Sequence, residues 1–255
     1  MTGPAREEGG RTDVTVPREV SLSVVIPFYN EAECAGPQVA SLRPVLAALG
    51  RPFEIVAVDD ASADRTPEVL RASRDGCPEL RILRLREHGG QSAATAAGLA
   101  AVRSGLVVIM DGDLQADPED IPVMLERLER GDCDAVCGWR QGRRDSWLRR
   151  ISGRVANRIR NLMTGDRVTD TGCPLKLFRA EFLRDIPLFR GMHRFLPTLA
   201  RMAGARVVEI PVRHRPRAAG RSKYGFWNRL FVGAADLLAV RWLKNRRLDL
   251  RAEEV

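Results

Sequence analysis

A chain of 255 residues with 44% hydrophobic content can bury a sizeable core, so one large domain with a short appendage is expected. No run of about eighteen uncharged apolar residues occurs, so no segment reads as membrane-spanning. The net charge of +8 is confined to two segments. Arg213 to Arg251 holds eleven Lys/Arg against two acidic residues, and Arg140 to Arg160 holds eight arginines against one aspartate. The rest of the chain is net acidic. Such clustering points to phosphate-bearing partners: a nucleotide, an anionic membrane surface or a nucleic acid.

Residues 1–20 are polar, punctuated by Gly and Pro, and lack the apolar core of a signal peptide; they are expected to form a disordered tail. Ser21 to Pro27 is an apolar strand stopped by proline. It opens into Phe28-Tyr29-Asn30-Glu31 and a helix to about Leu49. Phe53 to Val58 is a second buried strand, ending in Asp59 and Asp60. Ala61 to Asp64 caps a helix from Thr66 to Arg74. Leu80 to Leu85 is a third strand, and His88-Gly89-Gly90-Gln91 leads into an Ala-rich helix to about Arg103.

Leu106 to Met110 is a β-branched run short enough for a strand buried on both faces. It ends in Asp111-Gly112-Asp113. Two carboxylates leaving the carboxyl end of a buried strand sit where open α/β sheets bind their ligands. Gly112 would let backbone approach a ligand closely. Such hard oxygen ligands suit Mg²⁺ or Mn²⁺, held by one or two carboxylates together with substrate phosphates. Asp117 with Pro118 caps the following helix, which leaves Asp111 and Asp113 surplus to capping.

A strand over Asp134 to Trp139 follows, then the Arg-rich segment, read as a basic loop and an amphipathic helix. Thr169 to Pro174 is a turn cluster before a short strand at Leu175 to Phe178. Residues 193–204 read as one helix. Arg206 to Val212 is a strand, and Arg213 to Lys223 a basic loop. Phe226 to Leu243 is a helix with one narrow polar stripe, bordered by Lys244, Arg246 and Arg247; a wide apolar face of this kind suits a membrane interface. The five cysteines, an odd number without a CxxC pair, read as reduced apolar residues.

Strands alternating with helices predict an α/β fold with a mostly parallel sheet and a C-terminal amphipathic helix. Tyr29-Asn30-Glu31, Asp59-Asp60 and Asp111-Asp113 should meet at one edge of that sheet. Neither GxGxxG after the first strand nor a Gly-Lys phosphate loop is present. The expected divisions are a tail over 1–20, a catalytic domain over 21–225, and the helix with its basic tail over 226–255.

Four motifs in order, VVIPFYNE (24–31), VDDASADRT (58–66), DGDLQADPE (111–119) and RAAGRSKYG (217–225), carry a family pattern. The chain resembles the family-2 inverting glycosyltransferases of GT-A (Rossmann-like) fold. Within them it is most similar to the polyprenyl-phosphate sugar transferases typified by dolichyl-phosphate mannose synthase. The resemblance implies that Pro27, Tyr29, Glu31, Val58 and Asp60 hold the nucleotide. It places Asp111 and Asp113 at metal and diphosphate, with Gly112 where many relatives have Ala, and Gln115 beside them. Arg140 matches an arginine facing the acceptor phosphate, and Arg217 and Lys223 match a loop closing on the donor diphosphate.

The implied reaction moves a hexose of mannose or glucose type from a GDP- or UDP-sugar to a dolichyl or undecaprenyl-type phosphate. Inversion requires in-line attack, and a phosphate acceptor needs no strong base, since its second pKa is about 6. It needs cations, which Arg140 with Arg149 or Arg150 could supply. A sugar or lipid hydroxyl acceptor would need a base instead, and Asp170 is the candidate. A nucleic-acid-binding protein is the distant alternative; it leaves the acidic strand ends unexplained, so no nucleic-acid partner is expected. A cytoplasmic protein, peripheral on the cytoplasmic face of the membrane, follows from these expectations, with an integral-membrane protein as a further candidate partner.

Overall fold

The computed structural model describes residues 20–141, 157–166, 168–216 and 226–246, with side chains in the last helix from Gly233 onward. Its strands are β1 (Leu22–Phe28), β2 (Phe53–Asp59), β3 (Leu80–Arg84), β4 (Leu106–Ile109), β5 (Ala135–Arg140), β6 (Lys176–Arg179) and β7 (Val207–Val212). Its helices are α1 (Ala32–Ala48), α2 (Thr66–Ser73), α3 (Gln91–Ala101), α4 (Asp120–Glu129), α6 (Leu196–Met202) and α7 (Phe226–Arg246), with the described part of α5 at residues 157–164. The sheet order is β3-β2-β1-β4-β6-β5-β7. Every neighbouring pair is parallel except those made by β6, which runs antiparallel to both β4 and β5.

The strand period of two divides the core. Val24, Ile26, Ile55, Val108 and Leu177 face α1, α2 and α4. Val25, Val56, Val107, Cys137 and Phe178 face α3, α6 and α7. The result is helices over both faces of the sheet, which explains why the strands are continuously apolar rather than alternating. All five cysteines are free and buried.

Several expectations change. Pro27 does not stop β1; it lies within the strand, opposite Val58. Its missing N–H points toward β4, whose pairing has already ended at Val25–Ile109, so no ladder bond is lost. The single helix expected over 193–204 is a 3₁₀ turn (Met192–Arg194) followed by α6. Pro197 has no N–H to donate, so the helix restarts with the proline in its first turn. Asp117 accepts the Glu119 N–H at 3.1 Å, but regular α4 begins only at Asp120.

The C-terminal helix differs most. It runs three residues further than expected, to Arg246, and one face packs on the domain. Leu237 and Val240 are buried in the second core, Asp236 pairs with Arg194 at 3.3 Å, and Lys244 donates to the Thr164 carbonyl. Leu238 and Trp242 stand outward, 60% and 61% exposed. Among the described residues no helix is long and apolar enough to cross a membrane. The expected tail lies outside the described residues except for Val20.

Candidate active site

The loops leaving β1, β2, β3 and β4 are tied to one another at the carboxyl edge of the sheet. Asn30 N–H donates to Ser62 Oγ at 2.9 Å, and Asn30 Oδ1 accepts from Ala63 N–H at 2.8 Å. Glu31 N–H donates to Thr66 Oγ1 at 2.9 Å. Asp60, buried, accepts from Gly89 N–H at 2.8 Å and lies 2.9 Å from His88 Nδ1. The His88 ring stacks on Tyr29 with centroids 3.8 Å apart. Gln91, the first residue of α3, donates its amide to Asp111 at 2.7 Å.

Strain marks the same place. Among the described residues the non-glycine residues with positive φ are Asn30, Ala61 and Leu114, one on each of the β1, β2 and β4 loops. Such conformations persist only where surrounding structure overdetermines them, and they gather at ligand sites. Gln38, buried in α1, accepts the Leu114 N–H at 3.2 Å and so holds the third of these turns.

Asp113 is buried, and its Oδ1 accepts the Gln115 N–H at 3.2 Å. Burial first, then the charges of Glu31 and Asp113, push the Cys34 thiol up to about 11, so the β1 and β4 turns converge on that residue too. At Gly112 a Cβ would fall 2.5 Å from Phe28 Cδ1, so packing of the Phe28 ring by itself requires a glycine there. Val58 is fully buried against the α3 face of the sheet, so its side chain is not presented at this edge. Pro27, Tyr29 and Glu31 are half-buried along the same edge.

The far end of this edge depends on β6. Because this strand is antiparallel, its first residue and the turn before it reach the edge where the parallel strands end. Arg140, closing β5, meets Asp170 of that turn: Nε to Oδ2 at 2.7 Å and an Nη2 to Oδ1 bond at 2.9 Å. Glu209 of β7 holds the turn by accepting the Thr169 N–H at 2.7 Å, and Asn157 and Asn161 of α5 both donate to Val168 O. Asp170 also opens the turn, its carbonyl accepting the Cys173 N–H at 3.2 Å, while its carboxylate braces the Arg140 guanidinium.

The segment after β7 is strapped to the Asp111 turn. His214 bridges Ala116, and Arg215 N–H donates to Gln115 O at 2.9 Å. Arg215 pairs with Asp117 at 2.8 Å and Arg213 with Asp120 at 3.1 Å, both aspartates buried. This strap leads into residues 217–225. Arg217 and Lys223, like Arg149 and Arg150, lie outside the described residues.

Comparison with known proteins gives these features a family. The model of the glycosyl transferase family 2 matches residues 23–187. The chain belongs to glycosyltransferase family 2. It is 40% identical over 230 residues to a dodecaprenyl-phosphate galacturonate synthase of Rhizobium johnstonii, covering 88% of this chain and 67% of that protein. It is 38% identical over 206 residues to an undecaprenyl-phosphate 4-deoxy-4-formamido-L-arabinose transferase of Edwardsiella ictaluri, covering 80% and 63%. A third relative is covered over 60% of its length, so the chain spans about three fifths to two thirds of these curated relatives.

Among solved structures, the glucosyl-3-phosphoglycerate synthase of Mycobacterium tuberculosis, in complex with Mn²⁺, UDP and phosphoglyceric acid, aligns with a TM-score of 0.66 at 20% identity, covering 91% of this chain and 80% of that one. A mannosyltransferase of Pyrobaculum calidifontis, in complex with GDP-Man and Mn²⁺, aligns with a TM-score of 0.59 at 22% identity, covering 92% and 66%. The fold of this family-2 glycosyltransferase is therefore the GT-A fold expected from its motifs.

Several site neighbours escaped sequence reasoning. Gln38, Gln91, Ser92 and His193 carry no local signal. Lys176 did carry one: a lone charge in the apolar run Leu175 to Phe178.

Proposed function

We propose that this glycosyltransferase moves a sugar from a nucleoside-diphosphate sugar to a polyprenyl phosphate, with inversion. The observation that carries the reading is the meeting of Asp111 and Asp113 with the β1, β2 and β3 loops at one edge of the sheet. The polyprenyl-phosphate relatives supply the acceptor class. Their sugars are a galacturonate and a formamido-arabinose, so mannose or glucose is one choice among several. Tyr29, Glu31 and Asp60, with the backbone at Pro27 and Val58, would line the nucleotide, supplied as UDP or GDP.

Among the described residues no cluster of three or more His, Cys, Asp or Glu forms a ready metal cage. Two carboxylates on one turn nevertheless fit Mg²⁺ or Mn²⁺ completed by substrate phosphates, and the fold neighbours contain Mn²⁺. Asp111 and Asp113 would hold that ion, which would stabilise charge growing on the departing diphosphate. Gln91 donates to Asp111 and the backbone N–H of Gln115 donates to Asp113, which helps to orient both carboxylates. Arg217 and Lys223 would close over the diphosphate from the loop that begins at the strap.

Arg140 is the cation proposed for the acceptor phosphate, with Arg149 or Arg150. Asp170 accepts two side-chain bonds from Arg140, which favours a positioning role over that of a base. This favours a phosphate acceptor over a hydroxyl. Peripheral membrane contact is proposed through Leu238 and Trp242 on α7 and Ile159 and Leu162 on α5, all exposed. Arg158, Arg241 and Arg246 accompany them for anionic headgroups.

The test is a donor screen with undecaprenyl phosphate and Mn²⁺, reading nucleoside diphosphate release. Asp113→Asn should lower kcat by about 10²–10³ or more, as loss of charge stabilisation does. A folded, fully active Asp113→Asn variant would remove Asp113 from the mechanism.

A further inference from the structure

Lys176, Arg160 and Arg194 gather where β6, the Met192–Arg194 turn and the start of α3 meet. Lys176 is only 5% exposed. It lies across from Ile109 of β4, two residues before Asp111, and its Nζ donates to the Cys173 carbonyl. Among the described residues it has no ion pair. Arg160 lies over the Phe195 ring at 4.5 Å, and its Nη2 donates to Arg194 O at 3.4 Å. Burial first, then the Arg194 charge, holds Arg160 down to about 10, against the opposing charges of Asp166 and Asp170. Arg194 pairs with Asp236, but its Nε is buried without a partner. Asp236 faces Arg194, and Asp166 and Asp170 act on Arg160, so within this group Lys176 is the cation with no ion pair among the described residues. A buried cation is ordinarily paired, and one that meets only a carbonyl is what an anionic ligand would complete.

His193 sits beside them, in contact with Ser92. Ser92 Oγ accepts the Gly191 N–H at 2.8 Å and lies 2.8 Å from His193 Nδ1. Among the described residues the Ser92 hydroxyl has no other acceptor, and donating its proton to Nδ1 would leave the ring proton on Nε2. Burial first, then Arg194 and Lys176, pushes this histidine down to about 3, so it is a neutral donor at ordinary pH. Ser92 follows Gln91, whose amide holds Asp111. These residues are therefore joined, through consecutive residues of α3, to the turn proposed to hold the diphosphate.

We infer that Lys176 and His193 read a carboxylate on the transferred sugar, so that the preferred donor is a nucleoside-diphosphate uronate. The inference rests on the donor reading above. His193 Nε2–H could satisfy a neutral hydroxyl. Lys176 could not be matched by a neutral sugar, because a buried ammonium facing only a carbonyl keeps most of its desolvation cost. A carboxylate at C6 supplies both acceptors and the countercharge.

The experiment has two steps on the full chain. Calorimetry first measures binding of UDP and of GDP with Mn²⁺; failure of both overturns the donor reading and this inference together. Turnover with undecaprenyl phosphate is then compared for donors that differ only at C6: UDP-galacturonate with UDP-galactose, UDP-glucuronate with UDP-glucose, and GDP-mannuronate with GDP-mannose. The acidic member of at least one pair should have the higher kcat/KM. Lys176→Gln should lower that ratio by about tenfold to a hundredfold, as loss of a charge-assisted hydrogen bond does, and Lys176→Arg should retain most of it. Preference for the neutral member in every pair overturns the inference while leaving the donor reading intact. If Lys176→Gln instead raises the KM for undecaprenyl phosphate and leaves the donor ratio unchanged, the anion is the acceptor phosphate and the uronate assignment is wrong. If Lys176→Gln does not fold, the ratio in Lys176→Arg and the wild-type donor preference still decide.

Discussion

At the scale of single residues, the site is built from groups whose surroundings fix one state. Gly112 is one. With the Phe28 ring against its Cα, Gly112→Ala forces an overpacked contact and should cost about 1–3 kcal/mol in urea unfolding. Adding Phe28→Leu should return part of that loss; a single variant as stable as wild type would mean that the ring turns aside. His193 is another. Its value falls from about 6.5 in a free histidine to about 3 in the fold, so the folded protein binds the proton more weakly. Its contribution to stability is complete above about pH 6.5 and is lost as pH falls toward 3. Between pH 7 and 5 this amounts to up to about 2 kcal/mol at 1.36 kcal/mol per unit. His193→Gln should therefore show a shallower fall in melting temperature over that interval, and parallel profiles would contradict the assignment.

Among the elements, the strap at Arg213 to Arg215 has the clearest consequence. It joins the Asp111 turn to residues 217–225 through Asp117 and Asp120, carboxylates that burial makes costly to leave unpaired. Arg215→Ala should lower stability by only about 1 kcal/mol, because the arginine is half exposed. Its kinetic effect should be larger: donor KM should rise several-fold, since the strap sets where the basic loop starts. Steady-state kinetics over a donor series decides this; an unchanged KM would mean that the strap serves stability alone. The motif DGDLQADPE was legible from sequence as a carboxylate turn with a helix cap. That Asp117 and Asp120 also receive two arginines almost a hundred residues away was not, because such pairs depend on which strand β7 joins.

For the whole molecule, the C-terminal helix sets the outcome. Its inner face completes the second core through Leu237 and Val240, and Asp236 pairs with Arg194. Deleting residues 226–255 should therefore destabilise the entire domain rather than release a separable anchor. Its outer face is independent of that role. Leu238→Ser with Trp242→Ser should reduce flotation with liposomes containing anionic lipid, while the melting temperature stays close to wild type. A truncated chain that remains folded, or a double variant that floats as before, would reassign the helix.

The local pattern alone determined the α/β class, the order of strands and helices, and the three polar strand ends that share one edge. Each depends on hydrophobic period and on turn residues within a few positions, and those act over short range. Tertiary structure decided what long-range pairing controls. The run Leu175 to Phe178 reads as a strand in isolation, but nothing in it says that it inserts antiparallel between β4 and β5. That insertion brings Asp170 to Arg140 and Lys176 beside the Asp111 turn. Likewise the apolar stretch of α7 announces a buried face without saying what it is buried against. Only the sheet order put Leu237 and Val240 into the domain core and left Leu238 and Trp242 facing outward, because partner choice depends on which surfaces the completed fold leaves uncovered.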